Sequence, residues 1–373
     1  MRETIPISKL SISNEDIKIV TKILKSGILT ERTGSGPNVS QFESDFAHFV
    51  GAKRAVAVSS GTAALHASLM ALGIGPGDEV IVPSFSFVAT AESVALTGAK
   101  PIFADIDPQT YCIDPESVED AVTKKTKAVV PVHLYGLPSS MDGIREIAEK
   151  YSISIVEDAA QAVGAEYKEA KVGTMGDIAC FSFYASKNLA VCEGGMTTTN
   201  SEEYAEALRM IRNHGEGRGN ESVRLGHNYR MPEVVAALGR AQLQRLPEIL
   251  KARRSNANTV TNLLNDQDSL TLPFEPEGYK HSWYLYTVRL KGANAARRNK
   301  IVQRLRERKV GATVYYHTPI HMMEFYRAFS GREKIELKQT EKASRQVFSI
   351  PTHQGMSKED LEYVAEIVRR VAS

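Results

Sequence analysis

Between residues 55 and 200 the chain alternates short apolar, β-branched runs with stretches of helical character. AVAVSS (55–60) leads into GTAALHASLMALG, EVIVPSF (79–85) into SFVATAESVALTG, and KPIFADI (100–106) follows. AVVPVHL (128–134) precedes MDGIREIAEKY, after which come ISIVEDAA (153–160) and IACFSF (178–183). Runs that are apolar on both faces predict covered strands, and the helical spacers between them predict a mostly parallel α/β sheet. Ligands of such sheets gather at the carboxyl ends of the strands. Gly73, Gly75 and Gly77, with Pro76, predict a sharp end to the first helix of the series.

The texture then changes. Residues 233 to 265 predict a long helix with Pro232 at its start, HSWYLYTVRL (281–290) a strand, ARRNKIVQRLRERKVGA a helix ending at Gly311, and ATVYYHTPIH (312–321) a strand running into a loop. In SKEDLEYVAEIVRRVA, Ser357 and Asp360 are spaced as a capping box, and Leu361, Val364, Ile367, Val368 and Val371 form one stripe. These segments predict a smaller α+β unit, residues 251–373, after a large unit spanning 1–250 whose first 25 or so residues form an arm that packs elsewhere.

Composition narrows the class. The 373 residues are 42% hydrophobic and 24% charged with a net charge of +2, an ordinary globular balance that gives no reason to expect nucleic acid or an anionic membrane as partner. The basic run RRNKIVQRLRERK keeps Ile301, Val302 and Leu305 on one face, which reads as a helix with a solvated side. Cys112, Cys180 and Cys192 form no CxxC pair, so neither a disulfide framework nor a zinc site is expected. The opening MRETIPISKL lacks a signal-peptide core and no run of about 18 apolar residues occurs, so a cytosolic protein is expected.

Three elements carry chemistry. Lys187 follows the apolar run of 178–183 and precedes Glu193-Gly194-Gly195, so its amine is expected at a strand end in a partly desolvated pocket. Desolvation favours the neutral, nucleophilic amine that a Schiff-base lysine needs. Asp158 ends the buried run ISIVEDAA, where a carboxylate wants a cationic partner; a protonated pyridine nitrogen is one, and capping of a following helix is the other reading. Gln161, three residues on, is placed to donate to a ring oxygen. VSSGTAAL (58–65) reads as strand, Gly-Thr turn and helix N-terminus, where backbone N–H groups and the helix dipole suit a phosphate. Thr62 would add its hydroxyl, Ala63 its N–H, and Ser182 a contact from the neighbouring strand, while the aromatic loop PSFSFVAT (83–90) is able to stack on a flat ring. Together these suit pyridoxal 5′-phosphate.

The same residues carry a resemblance. SSGTAAL, DEVIVPSFSFVATAESV, PVHLYG, VEDAAQAVGA, FSFYASKNL with EGG, and GHNYRMPEVVAALGRAQL, in that order and over nearly the whole chain, resemble the sugar aminotransferases of the DegT/DnrJ/EryC1/StrS family. The resemblance implies a fold type I aminotransferase: a large domain with a mostly parallel seven-stranded sheet and a smaller C-terminal α+β domain. It implies pyridoxal phosphate as cofactor with pyridoxamine phosphate as intermediate, L-glutamate as amino donor, and a nucleotide-linked keto sugar as acceptor. On that mapping Lys187 forms the Schiff base and moves the proton, Asp158 holds the pyridine nitrogen, Gln161 the ring hydroxyl, and Phe87 stacks on the ring. Thr62, Ala63 and Ser182 hold the phosphate, and Asn228 reaches it from the other subunit of a homodimer with shared active sites. Ala190, Val191 and Cys192 stand where the family commonly reads Thr-Thr-Gly, which changes the turn after Lys187, and the segment 27–43 is longer than the common form.

GIGPGD (73–78) and GEGRGN (215–220) lack the G-x-G-x-x-G spacing of a dinucleotide turn, which disfavours an oxidoreductase. His317 and His321 are separated by Pro319 and find no third ligand, so no metal is expected; with Tyr316 they are placed in a loop that closes over the substrate. Arg230 is read as an anion contact or a structural salt bridge, His133 as a core or supporting histidine, and His214 and His227 as candidates to line the cleft. A sugar dehydratase of the same family and a non-catalytic cofactor-binding regulator are the competing functions. The Schiff-base lysine argues against the first, and the lack of a visible helix-turn-helix module against the second.

Overall fold

The computed structural model describes residues 3–217, 221–329 and 335–372, so part of GEGRGN lies outside the described residues. Seven strands form the central sheet: β1 (Arg54–Val58), β2 (Glu79–Pro83), β3 (Lys100–Ala104), β4 (Thr126–Val129), β5 (Ser154–Asp158), β6 (Ile178–Ser182) and β7 (Gly195–Thr199). Their order is β1-β7-β6-β5-β4-β2-β3. Every pairing from β6 to β3 is parallel, and β7 enters antiparallel between β6 and β1. The chain is a mixed α/β protein, and the alternation of apolar runs and helical spacers is what builds it. Strands of the parallel region bury nearly every residue, because helices cover both faces.

Several predicted strands are shorter in the structure. The run 128–134 stops as a ladder at Val129, because Pro131 has no N–H to give. The chain continues beside β5 through Asp158 N–H to Pro131 O and His133 N–H to Asp158 O, which leaves 130–134 as an irregular wall. Of 281–290 only Tyr286–Leu290 is a strand. Ser282 and Leu285 instead donate their N–H groups to Gly136 and Tyr135 of the large unit, and Trp283 takes a positive φ of 52°. Of 312–321 only Thr313 pairs, with Ser349, before the chain turns at Pro319.

One helix, Glu233–Leu264, joins the two cores. Its first half, with Ala236, Leu238, Leu243 and Leu246, packs into the core that holds Phe42, Phe46, Phe181 and Phe183. Its last turns, with Ala257, Val260 and Leu264, pack into a second core with Trp283, Tyr286, Leu305, Phe348 and Val368. The N-terminal arm reaches that second core: Ile5 is buried in it and pairs with Val310, and Gly311 donates its N–H to Ile5 O. The helix Asn14–Ser26, opened by a Ser13–Asp16 capping box, then lies on the long helix through Asp16 and Arg245, 2.5 Å apart.

Beneath the sheet edge, charges are buried in pairs. Arg212 is fully enclosed and donates to Glu43 at 2.5 Å, to Ala57 O at 2.9 Å and to Ser35 Oγ at 2.9 Å, while Glu43 also accepts the Ala57 N–H. Glu233, equally buried, accepts the N–H groups of Asn38 and Val39 at the start of the helix Pro37–Val50. A Cβ on Gly36 would stand 2.3 Å from the Glu233 carboxylate, so the glycine lets the loop close over it. Removing one partner of a buried ion pair leaves the other charge uncompensated, typically at about 3–5 kcal/mol. Arg212→Leu is therefore expected to lower stability by about that much, read as a drop in the urea midpoint, and the double variant Arg212→Leu, Glu43→Leu is expected to recover part of the loss.

Candidate active site

The carboxyl ends of β1, β5 and β6 converge on a cavity of about 380 Å³. Thr62, Phe87, Asp158, Gln161, Ser182, Lys187 and Tyr316 all border it, residues that are up to 254 positions apart in sequence (316 − 62 = 254). Its floor is the turn into the helix Gly61–Ala71. Ser60 caps this helix, its hydroxyl accepting the Ala63 N–H at 3.1 Å. Gly61 and Thr62 of the same turn border the cavity. The turn can lie this close to the sheet because its neighbours have no room for side chains. A Cβ on Gly195 would sit 2.3 Å from Ser60 O, and one on Gly61 would sit 2.8 Å from Ser182 Cβ. The second glycine of Glu-Gly-Gly is thus a packing requirement of the phosphate-type turn, paired with Val58 on one side and Ser182 on the other.

Glu157 and Asp158 end β5 on opposite faces. Glu157 turns away from the cavity and accepts from His133 Nε2 at 3.0 Å and from the N–H groups of Gly173, Met175 and Gly176. Burial works against its charge, but the His133 bond and these N–H groups hold its carboxyl below the ordinary value. His133 is fixed as the donor because its Nδ1 accepts the Ser139 N–H. Asp158 faces the cavity, 5% exposed, accepting from Thr90 Oγ1 at 2.8 Å and from Ala160 N–H at 3.2 Å. Burial pushes its carboxyl up, against the pull of Thr90, Ala160 and Lys187. It is a carboxylate short of a cation.

Lys187 lies in a turn, its N–H donated to Tyr184 O, and its Nζ stands 4.4 Å from the centroid of the Tyr284 ring. Its neighbours bind the same segment of the C-terminal unit: Ser186 Oγ lies 3.0 Å from Tyr284 Oη, and Asn188 donates to Ser282 O at 2.8 Å. Buried Arg253 holds that segment from behind through the carbonyls of Trp283 and Tyr284. Ala190 and Val191, at the departure from the family pattern, are buried, with Val191 N–H donated to Phe183 O, while Cys192 is exposed. Gln161 accepts the Tyr135 N–H through Oε1 at 2.9 Å, so its amide nitrogen faces inward and donates to Tyr316 Oη at 3.0 Å.

Other predicted contacts stand apart from the cavity. His321 is 5% exposed and bonded through Nδ1 to Ser84 Oγ at 2.6 Å, in a packing position behind the sheet edge rather than facing a substrate. Arg230 donates to Asn213 Oδ1 at 2.7 Å, a structural contact within one hairpin. Asn228, bridged to Asn213 by its backbone, and His317 are exposed outside the cavity wall. His227 packs on His66 and Tyr229. Thr90, Ser86, Tyr184, Glu193, Tyr284 and Tyr315 border the cavity without having been singled out by the sequence. The aromatic loop PSFSFVAT contains two of them, but nothing local marks Thr90 as the partner of a carboxylate 68 residues away. Among the described residues no group of three or more His, Cys, Asp or Glu is arranged to hold a metal, and no helix is long and apolar enough to cross a membrane.

Comparisons with known proteins agree over the full length. The model of the DegT/DnrJ/EryC1/StrS aminotransferase family matches residues 10–369. The chain is 39% identical to the spore coat polysaccharide biosynthesis protein SpsC of Bacillus subtilis, over 98% of its length and 97% of that protein. It is 38% identical to GDP-perosamine synthase of Caulobacter vibrioides over 90% of each chain. A putative sugar aminotransferase from Streptococcus pneumoniae, at 28% identity, superposes with a TM-score of 0.93 in its PLP-form and 0.94 in its PMP-form, covering 99% of this chain and 98% of that one.

Since Ser60 O is backbone and cannot swing aside, Gly195→Ala is expected to displace the Ser60–Gly61 turn. Overpacking of this kind costs about 1–3 kcal/mol, so a lowered thermal midpoint is expected, together with weaker retention of phosphate-bearing ligands in equilibrium dialysis.

Proposed function

Because the chain belongs to the DegT/DnrJ/EryC1/StrS aminotransferase family, we propose that it carries an amino group from L-glutamate to a nucleotide-linked keto sugar of the 6-deoxy type, using pyridoxal 5′-phosphate in a ping-pong cycle. The observation that supports this most directly is the convergence of Lys187, Asp158, Gln161, Ser182 and the Gly61–Thr62 helix start on one cavity at the strand ends. Those residues fit the cofactor by their chemistry. Buried Asp158 lacks a cation that a protonated pyridine nitrogen would supply, the helix start and Ser182 offer donors to a phosphate, and an amine lies in the same space. The nucleotide-sugar name of the Caulobacter relative and the two cofactor forms of the pneumococcal one support the substrate class and the alternation between aldehyde and amine.

When bound, the cofactor supplies an electron sink that makes a substrate Cα–H acidic. Lys187 Nζ would hold the cofactor's aldehyde carbon and, when free, would accept and return the substrate Cα proton as general base and acid. Asp158 would hold a positive charge at the ring nitrogen. Gln161, its oxygen engaged by Tyr135, offers only N–H groups inward and so favours an anionic ring oxygen; Tyr316, whose hydroxyl burial pushes up, remains a neutral donor beside it. Phe87 would supply a face for the ring, and Thr62, Ala63 and Ser182 would hold the phosphate. Exposed Asn228 would reach the cofactor phosphate of the other subunit in a homodimer, and Arg230 and His317 would contact the substrate.

Incubation of the holoenzyme with L-glutamate alone is expected to bleach the visible absorbance of the lysine-bound cofactor and release one equivalent of 2-oxoglutarate. Mass spectrometry of reactions with UDP-, GDP- and dTDP-linked keto sugars then identifies the acceptor. Lys187→Ala is expected to lose both the visible band and turnover, by several orders of magnitude. Full activity in that variant, or no 2-oxoglutarate from the wild type, would overturn the proposal.

A further inference from the structure

Asp158 is the end of a chain of two hydroxyl groups. Thr90 Oγ1, on the first turn of the helix Ala89–Leu96, stands 2.8 Å from Asp158 Oδ2, and Ser86 Oγ stands 2.9 Å from Thr90 Oγ1. Both residues are 1% exposed and border the cavity. The direction of this chain follows from its end: an ionised carboxylate only accepts, so the Thr90 proton points at Asp158, and the Thr90 lone pairs are left to accept the Ser86 proton. We propose that Thr90 is a positioning residue that acts through Asp158, fixing the carboxylate's orientation and keeping it an anion against the ring nitrogen of the bound pyridine cofactor, with Ser86 reinforcing the bond. The inference rests on the cofactor reading given above.

The other groups around Asp158 are poorly suited to that task. Lys187 is on the catalytic loop, and in the proposed cycle its nitrogen changes partner and charge at each half-reaction. His133, from the wall after β4, already gives its Nε2 proton to Glu157, its neighbour on β5. Cys180, paired with Asp158 across the β5–β6 ladder, and Tyr316, from the C-terminal unit, are both kept neutral by burial. Among the described residues the donors to the carboxylate are the Ala160 N–H, which any residue at 160 except proline would supply, and the Thr90 hydroxyl. One proton lies between the ring nitrogen and Asp158. A carboxylate stripped of its hydroxyl donor in a buried site becomes the stronger base and draws that proton toward itself, which weakens the electron sink.

The test loads the holoenzyme with pyridoxal phosphate labelled with 15N in the ring and follows the ring-nitrogen shift against pH, alongside the rate of the glutamate half-reaction and the thermal midpoint. The wild type is expected to show a protonated ring nitrogen through neutral pH. Thr90→Val is expected to move the ring-nitrogen shift toward its unprotonated value at neutral pH, the balance of the shared proton moving toward the carboxylate by about tenfold to a hundredfold, the span that a hydrogen bond to a charged group accounts for. The half-reaction is expected to slow roughly tenfold to a hundredfold. Thr90→Ser is expected to restore both, and Ser86→Ala to move the ring-nitrogen shift the same way by less. A folded Thr90→Val protein with the wild-type nitrogen shift and pH profile overturns the inference. If Thr90→Val does not fold, Ser86→Ala decides: a ring-nitrogen shift moved toward the unprotonated value at neutral pH supports the inference and an unmoved shift overturns it. A wild type that shows no enzyme-bound ring nitrogen at all refutes the cofactor reading instead, a result distinguishable from failure of the Thr90 assignment.

Discussion

The site is organised around the desolvation of one carboxylate. Asp158 sits where β5 runs out, nearly closed off from water, and its two hydrogen bonds do not cancel the penalty of burying its charge. A fold tolerates such a group when something outside the chain completes it. The rest of the cavity is consistent with that: a helix start aimed at an anion, an amide whose donor side is turned inward, and an amine on a separate loop. Hydrogen bonds from within the chain hold the helix start and the amide, and the Tyr284 ring flanks the amine.

The two units meet at this cavity through the backbone of 282–285. Large-unit carbonyls at Tyr135 and Gly136 accept its N–H groups, Asn188 donates to Ser282 O, and Arg253 grips it from the second core. Burial without a carboxylate partner lowers the Arg253 guanidinium to about 10, still charged at neutral pH, so its contribution is to donate to two carbonyls that would otherwise be left without donors. The Tyr284 ring beside Lys187 is therefore placed by interactions from both units, and the geometry at the amine depends on how they dock.

Periodicity made the sheet legible, because strands covered on both faces leave an unbroken apolar signature and helices separate them. Strand ends were less so. Pro131 cut one ladder, and loops such as 281–285 and 314–321 are drawn out of extended pairing by contacts with the other unit, which local sequence does not encode. At the site, Lys187, Asp158, Gln161, Thr62 and Ser182 were legible because each stands next to a strand end or a glycine turn. Thr90, Tyr284 and Tyr315 were not, since their importance comes from long-range proximity. The N–H of Ala63 lies at a helix start as expected, and the cap that Ser60 places on it is a local pairing the motif did not name. His321 illustrates the limit of motif reading, because a histidine in a polar loop turned out to be a packed partner of Ser84.

The pair Glu157 and Asp158 bears on how the strand is specified. Adjacent residues on a strand occupy alternate sides, so sliding β5 by a single position against its neighbours would put each acid on the other's face. Slid one way, the longer acid would enter the ligand chamber and Val156 would face the amide protons and the imidazole; slid the other way, the shorter acid would face them at a reach it does not span and Ala159 would stand in the chamber. Either error leaves charge stranded in a dry interior, and apolar residues such as Val156 would be indifferent to it. The alignment of the central strand is thus enforced by electrostatics, because a misaligned strand would leave a buried charge without its partners.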